Sequence, residues 1–389
     1  MVCKSMKNVK SNMRLFARDF LQIICQAFKL LPVKSNRIVF ISHQYGSQYS
    51  DSPKYMSEYM MDKYKDKYEI IWILKKPKDH EHLKKMGIKT VRFYSFQNVY
   101  YSNTAKVLVT NVFGPYPYVI KRVDRIIIET THGVAYKRLS SGTKSMRIMD
   151  NVDFALSGNK ITSELVYRNN LSYKGVIIEE GLPRNDIFFK ENAFVKVKVK
   201  RYFGINDDTG IVILMPTWRK DNNRQSVDID FGRVLNILSK KTGQEWVFIV
   251  RLHHLSKIDI SDIIDNFSGK VIDATNYPDP QELLLTSDLL ITDYSSVVWD
   301  FALQEKPIVI YTPDLLSYKD TRGFNVPPDE WMLFTAKDER ELYRVIEETP
   351  FDDLVNATKR HLEKFGSCES GESTRLICER IDKYCYTVR

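Results

Sequence analysis

The chain reads as an α/β protein built on two parallel, doubly wound sheets, and three observations predict it. Short β-branched runs alternate with helix-compatible stretches from Asn36 onward, the pattern of strand–helix–strand crossovers with helices on both faces of a sheet. The 389 residues suffice for two domains that each bury a core. The chemically distinctive residues gather just after the apolar runs, at the carboxyl ends of strands, where open parallel sheets bind ligands.

In chain order the predicted strands are Arg37–Ser42, Glu69–Leu74, Lys106–Thr110, Arg125–Glu129 and Gly175–Glu179, then Gly210–Met215, Glu245–Val250, Leu289–Thr292 and Pro307–Tyr311. The charged connector Phe188–Arg201 separates the two groups, which places an N-terminal domain at 36–195 and a C-terminal domain at 196–370. A closing helix within 371–389 follows a Gly-Ser-containing segment and is expected to cross back to the first domain.

Residues 1–35 form a separate arm. Residues 1–37 hold Lys4, Lys7, Lys10, Arg14, Arg18, Lys29, Lys34 and Arg37 against Asp19 alone, so most of the chain's formal net charge of +9 lies there. The nearly balanced body gives little reason to expect a nucleic-acid partner. Met13–Leu31 reads as an amphipathic helix that Pro32 ends: Phe16, Phe20, Ile23, Ile24, Phe28 and Leu31 recur at helical spacing, with Arg14, Arg18, Gln22, Gln26 and Lys29 on another face. Such a helix suits the interface of an anionic membrane, with packing on the body of its own chain as the alternative. No run approaches the length of a membrane-spanning helix. The five cysteines form no CxxC pair and no zinc spacing, as expected of reduced thiols in a cytoplasm.

Chemistry is predicted from the strand-end loops. Asp293-Tyr294-Ser295-Ser296 precedes a helical stretch, so two hydroxyls and free backbone N–H groups would face an anion. Arg322-Gly323-Phe324 adds a cation beside a residue that permits close backbone approach. His132, between a strand and Gly133 with Lys137 and Arg138 behind it, is placed to accept a proton near neutral pH. His253 beside Arg251, and Arg219 after Pro216-Thr217-Trp218, occupy similar positions. Asp228-Ile229-Asp230 resembles a metal-binding triplet but lies away from a strand end, and with cations and hydroxyls available the chemistry needs neither metal nor cofactor.

Taken together these segments resemble the CDP-glycerol glycerophosphotransferase family, the teichoic acid primases and polymerases, over about residues 37–385. The family's Tyr-Ser-Asp-x-Pro-Lys stretch is matched by Tyr49-Ser50-Asp51-Ser52-Pro53-Lys54, and its Gly-x-Pro-Arg-Asn-Asp element by Gly181-Leu182-Pro183-Arg184-Asn185-Asp186. Pro216-Thr217-Trp218-Arg219, Arg251-Leu252-His253, Asp293-Tyr294-Ser295-Ser296 and Arg322-Gly323-Phe324 stand as the family has them. Its Trp-His-Gly-Thr-Pro-Leu-Lys segment is matched only in part, by Thr131-His132-Gly133-Val134-Ala135-Tyr136-Lys137, a departure that bears on acceptor identity.

The resemblance implies two Rossmann-like domains in a GT-B-like fold, with the acceptor on the first and a CDP-glycerol or CDP-ribitol donor on the second. It implies His132 and His253 as catalytic residues, and Arg219, Arg251, Asp293, Ser295, Ser296, Arg322, Gly323, Lys137, Arg138, Arg184 and Asp186 as substrate-binding. The reaction it implies is polyol-phosphate transfer to a lipid-linked or polymeric acceptor, with release of CMP, at the cytoplasmic face of the membrane. A GT-B glycosyltransferase using a nucleotide sugar and a non-catalytic membrane scaffold are the alternatives.

Deletion of Met1–Leu31 is expected to release the chain from anionic vesicles, and rising salt to weaken the binding of the full chain. Co-sedimentation with vesicles across a salt series checks both.

Overall fold

In the computed structural model of the chain, the described residues are 21–42, 46–112, 116–133, 149–219, 224–253, 255–327 and 330–386, with the backbone alone at 319–322. Two parallel sheets dominate. The first holds β1 (Lys34–Ile41), β2 (Glu69–Leu74), β3 (Lys89–Arg92), β4 (Ala105–Thr110), β5 (Ile126–Glu129), β6 (Phe154–Leu156) and β7 (Val176–Ile178) in the order β3-β2-β1-β4-β5-β6-β7. The second holds β8 (Gly210–Leu214), β9 (Trp246–Val250), β10 (Val271–Asp273), β11 (Leu289–Thr292), β12 (Ile308–Tyr311) and β13 (Phe334–Ala336) in the order β10-β9-β8-β11-β12-β13. Each sheet starts at an inner strand, winds outward one way, then returns to wind the other. The order therefore reverses between β1 and β4 and again between β8 and β11, and such switch points open ligand-binding crevices at the strands' carboxyl ends. The arrangement is GT-B-like, as the sequence predicted.

Alternating side chains explain why these runs became interior strands. Ile38 and Phe40 of β1 enter one core cluster while Val39 and Ile41 enter the cluster on the opposite face. On β8, Ile211 and Ile213 face one layer, Val212 and Leu214 the other. A strand apolar on both faces is stable only with helices covering both. The nine predicted strands are present, and β3, β6, β10 and β13 join them.

The last helix, Ser373–Tyr386, packs on the first sheet through Ile377, Cys378, Ile381 and Cys385. The helix before it, Phe351–Phe365, packs on the second through Leu354 and Phe365. The chain thus crosses between the lobes at residues 366–372. Asp186 caps the last helix, accepting the N–H groups of Ser373 at 3.0 Å and Thr374 at 2.7 Å.

Only the end of the basic arm falls within the described residues. Residues 21–25 are helical and Gln26–Leu30 tighten into a 3-10 turn, where a continuous amphipathic α-helix was expected. Phe28, assigned to the same apolar face as Ile23 and Ile24, packs toward Phe96, while Ile23 and Ile24 stay exposed. Arg122 pins the turn by donating to the carbonyls of Phe28 at 2.8 Å and Leu31 at 2.9 Å. No helix among the described residues is long and apolar enough to cross a membrane.

Glu369 sits in the crossover. Burial raises its carboxyl pKa to about 8, outweighing the hydrogen bonds it accepts from Leu182 N–H at 2.9 Å and Asn185 Nδ2 at 2.8 Å. Between its unfolded value and about 8 the folded chain keeps a proton that the unfolded chain has lost, so stability falls as pH rises through that window. Thermal melts from pH 5 to pH 9 are expected to show that decline in the wild type, and Glu369→Gln to flatten it.

Candidate active site

On the second sheet, one arginine organises the strand-end loops. Arg219, after β8, donates through Nε and Nη2 to Asp314 at 2.7 and 3.0 Å, and its Nη1 lies 2.6 Å from the Thr217 carbonyl and 2.8 Å from Asp293. Burial opposes its charge, but the two carboxylates outweigh burial and its pKa is raised. The guanidinium also covers the rings of Tyr294 and Tyr318, a cation–π contact that fixes its plane. Asp293 accepts Thr217 N–H at 2.8 Å, and Trp218 Nε1 donates to the Leu255 carbonyl at 3.1 Å. The loops after β8, β9, β11 and β12 therefore form one unit, on which Ser295 and Ser296 are half-buried.

His253 belongs to that unit. Leu255 N–H donates to its Nδ1 at 3.2 Å. A backbone N–H can only donate, so Nδ1 is the accepting nitrogen and Nε2 carries the proton.

On the first sheet the converse holds. His132 Nδ1 lies 2.6 Å from the carbonyl oxygen of Asn111, the residue after β4. A carbonyl can only accept, so Nδ1 carries the proton and Nε2 is the basic nitrogen of the neutral ring. His132 itself is exposed. The loop that presents it is strained: Thr131, β-branched, holds a left-handed φ of 53°, a conformation costing about 1–3 kcal/mol. Glu129, fully buried at the end of β5, holds that loop. Its carboxylate accepts Thr131 N–H at 2.9 Å, Thr110 Oγ1 at 2.7 Å and Val112 N–H at 3.2 Å, so it grips both segments that meet in the Asn111–His132 bond.

The two lobes meet at the residue after His132. A Cβ on Gly133 would lie 2.3 Å from Ser296 Oγ, so only glycine lets the histidine loop approach the serine loop this closely. Arg184 locks the junction, with Nε and Nη2 on Asp300 at 3.1 and 3.2 Å and Nη1 on Asp51 at 3.1 Å and the Thr131 carbonyl at 3.4 Å. Beside it, Lys54 donates to Asp279 at 2.6 Å and Tyr55 to the same carboxylate at 3.0 Å.

Several residues expected to meet substrate are engaged by internal partners. Arg184 is 2% exposed and directs its donors at the interface carboxylates, and Asp186 is a helix cap. Arg251 donates to the carbonyls of Ala274 at 3.0 Å and Tyr277 at 2.6 Å, with burial pushing its pKa down to about 10. Arg219 and Asp293 face each other. These types were readable as chemical, but a motif does not say whether a guanidinium turns inward or outward. Gly323 follows the helix Leu315–Arg322 with φ 68°, the left-handed cap that glycine favours; the Arg322 side chain, Lys137 and Arg138 lie outside the described residues. Asp230 caps the helix Phe231–Thr242, accepting Arg233 N–H at 2.9 Å. Among the described residues no group of three His, Cys, Asp or Glu is placed to hold a metal. Sequence reasoning missed Asn111, Glu129 and the strain at Thr131. The one available signal was the repeated strand ending, Thr110-Asn111 after β4 and Thr292-Asp293 after β11.

Two opposed parallel sheets, with a histidine loop on one abutting a hydroxyl-bearing loop on the other, define a two-lobed group-transfer enzyme of GT-B-like build. Residues 23–383 match the family model of CDP-Glycerol:Poly(glycerophosphate) glycerophosphotransferase, and the chain belongs to that family. A teichoic acid poly(glycerol phosphate) polymerase of Bacillus spizizenii is 29% identical over 385 residues, covering 94% of this chain and 91% of that protein. The polymerase of the same description from Bacillus subtilis is 28% identical over 413 residues, covering 98% of this chain and 53% of that protein, so the chain spans about half its length. The solved structure of the wall teichoic acid polymerase TagF, in a histidine-to-asparagine variant with CDPG soaked in, matches with a TM-score of 0.78 at 26% identity, over 98% of this chain and 97% of that one.

Glu129→Gln keeps the shape of the buried side chain but replaces one accepting oxygen with a donor. It is expected to lower kcat by about 10²-fold through misplacement of the His132 loop, with the KM for the nucleotide donor near the wild-type value. Steady-state kinetics with varied donor check this.

Proposed function

We propose that the chain transfers glycerol phosphate from CDP-glycerol to a hydroxyl at the end of a teichoic-acid-type polymer or its lipid-linked primer, releasing CMP. The observation that carries the reading is the opposed tautomers of the two histidines. His132 offers Nε2 as a proton acceptor on the first lobe, while His253 offers Nε2–H as a donor on the second.

The acceptor oxygen attacks the β-phosphorus in line, forming a new P–O bond as His132 Nε2 takes the hydroxyl proton. The bond from that phosphorus to the bridging oxygen breaks, and CMP leaves with the bridging oxygen and the electron pair. His253 Nε2–H, the Ser295 and Ser296 hydroxyls and Arg322 are assigned to the phosphate charge. Thr217 Oγ1, buried without a hydrogen-bond partner among the described residues, supports an anion on the same loops. The helix after Ser296 runs only Val297–Ala302, so the assignment rests on the side chains and not on its dipole.

The donor reads as CDP-glycerol, in keeping with the family's description; CDP-ribitol is the alternative alcohol. Attachment is peripheral, on an anionic membrane surface at the cytoplasmic face. The basic arm supports this, as do the exposed side chains of Ile23, Ile24 and Leu30 at its end.

Incubation with CDP-glycerol and, in parallel, CDP-ribitol is expected to release CMP and leave a phosphodiester product with the glycerol donor. His132→Asn is expected to lower kcat by roughly 10²–10⁴-fold with donor binding unchanged, and to flatten the acidic limb of the rate profile. Near-normal turnover in that variant would remove His132 from its role as base.

A further inference from the structure

We propose that the carboxamide of Asn111 binds the acceptor, pairing with the hydroxyl next to the one that attacks. The inference rests on the transferase reading above and identifies the group that would choose the acceptor's end.

Three observations meet at this residue. Asn111 follows β4, one of the two strands that flank the switch point of the first sheet, the place where a parallel sheet opens to a ligand. Its backbone carbonyl holds His132 Nδ1 at 2.6 Å, so its side chain belongs to the residue that sets the direction of the base. Asn111 is fully buried, and among the described residues neither its Nδ2 nor its Oδ1 has a hydrogen-bond partner. A buried carboxamide left with donor and acceptor both unmade is costly, and such groups call for a functional explanation.

The second sheet shows what this position does when it is satisfied internally. Asp293 stands after β11 as Asn111 stands after β4, and its carboxylate is engaged by Thr217 N–H and Arg219. Among the described residues the Asn111 carboxamide has no such internal partner, although Thr110 beside it is bonded to Glu129 at 2.7 Å. The chemistry of the group then selects its ligand. A carboxamide offers one acceptor and two N–H donors, a match for a hydroxyl that both donates and accepts. A terminal glycerol carries a secondary hydroxyl beside its primary one. With the primary oxygen at His132 Nε2, the secondary hydroxyl is the neighbouring polar group.

The test uses the full-length protein, CDP-glycerol and two soluble primers, one ending in glycerol phosphate and the other in propane-1,3-diol phosphate, which lacks the secondary hydroxyl. Wild-type enzyme is expected to prefer the glycerol primer in kcat/KM by roughly 10-fold or more. Asn111→Ala keeps the backbone carbonyl, so it is expected to abolish that preference while leaving the CDP-glycerol KM and the acidic limb of the rate profile as in the wild type. Asn111→Ser serves the same comparison if the alanine variant does not fold. Equal use of the two primers by the wild type, or a preference that survives in the variants, overturns the assignment and leaves the carboxamide a packing or hydration feature. Wild-type enzyme that releases no CMP with either primer overturns the transferase reading itself, a result distinct from loss of discrimination.

Discussion

The buried guanidinium of Arg184 is the constraint on which the arrangement of the two lobes depends. It comes from the first lobe, yet its bidentate partner, Asp300, belongs to the second, and its remaining donor reaches Asp51 and the carbonyl of Thr131. Burial works against its charge, and the carboxylates of Asp300 and Asp51 overcome that cost and raise its pKa. Removing one partner from such a network strands a buried charge, commonly at about 3–5 kcal/mol. The interaction therefore favours one relative placement of the lobes. It also secures the strained Thr131 from the carbonyl side while Glu129 holds it from the N–H side.

That placement sets the loops of two separate sheets against each other. Each sheet alone presents loops at a switch point; together they bring Gly133 against Ser296. The two histidines of the facing lobes differ through hydrogen-bond directionality. A carbonyl beside His132 and a backbone N–H beside His253 select opposite tautomers of the same side chain. Burial makes a third kind of histidine from the same residue type: His361, packed between Trp299 and Phe365, is pushed down to about 3 and stays neutral.

Legibility from sequence followed the strength of the local signal. The nine runs with several consecutive β-branched or aliphatic residues all became strands. β3, β6, β10 and β13 were passed over because each holds at most two Val, Ile or Leu, against three or more in each predicted strand; β3, β10 and β13 lie at sheet edges, where one side of the ladder is unpaired. Strand-end loops were readable because glycine, histidine, serine and arginine cluster there. Their inward or outward direction was not. Arg251 and Arg219 have the same motif-level appearance as a phosphate ligand, but Arg251 spends its donors on carbonyls and Arg219 on carboxylates. The arm divided similarly: helical spacing put Phe28 with Ile23 and Ile24, while the 3-10 turn and Arg122 rotated Phe28 onto the body.

What the sequence determined by itself is the pair of parallel sheets, the family, and the set of residues available for phosphate and proton chemistry, because β-branched runs and motif order are local properties of the chain. The tertiary structure alone decided which ring nitrogen of each histidine carries its proton, which cations serve the interface, and that the carboxamide of Asn111, whose carbonyl orients His132, has no hydrogen-bond partner among the described residues. Those properties arise from backbone groups and side chains brought together from distant segments. A one-dimensional pattern does not encode the direction of a carbonyl 21 residues away from the histidine it orients.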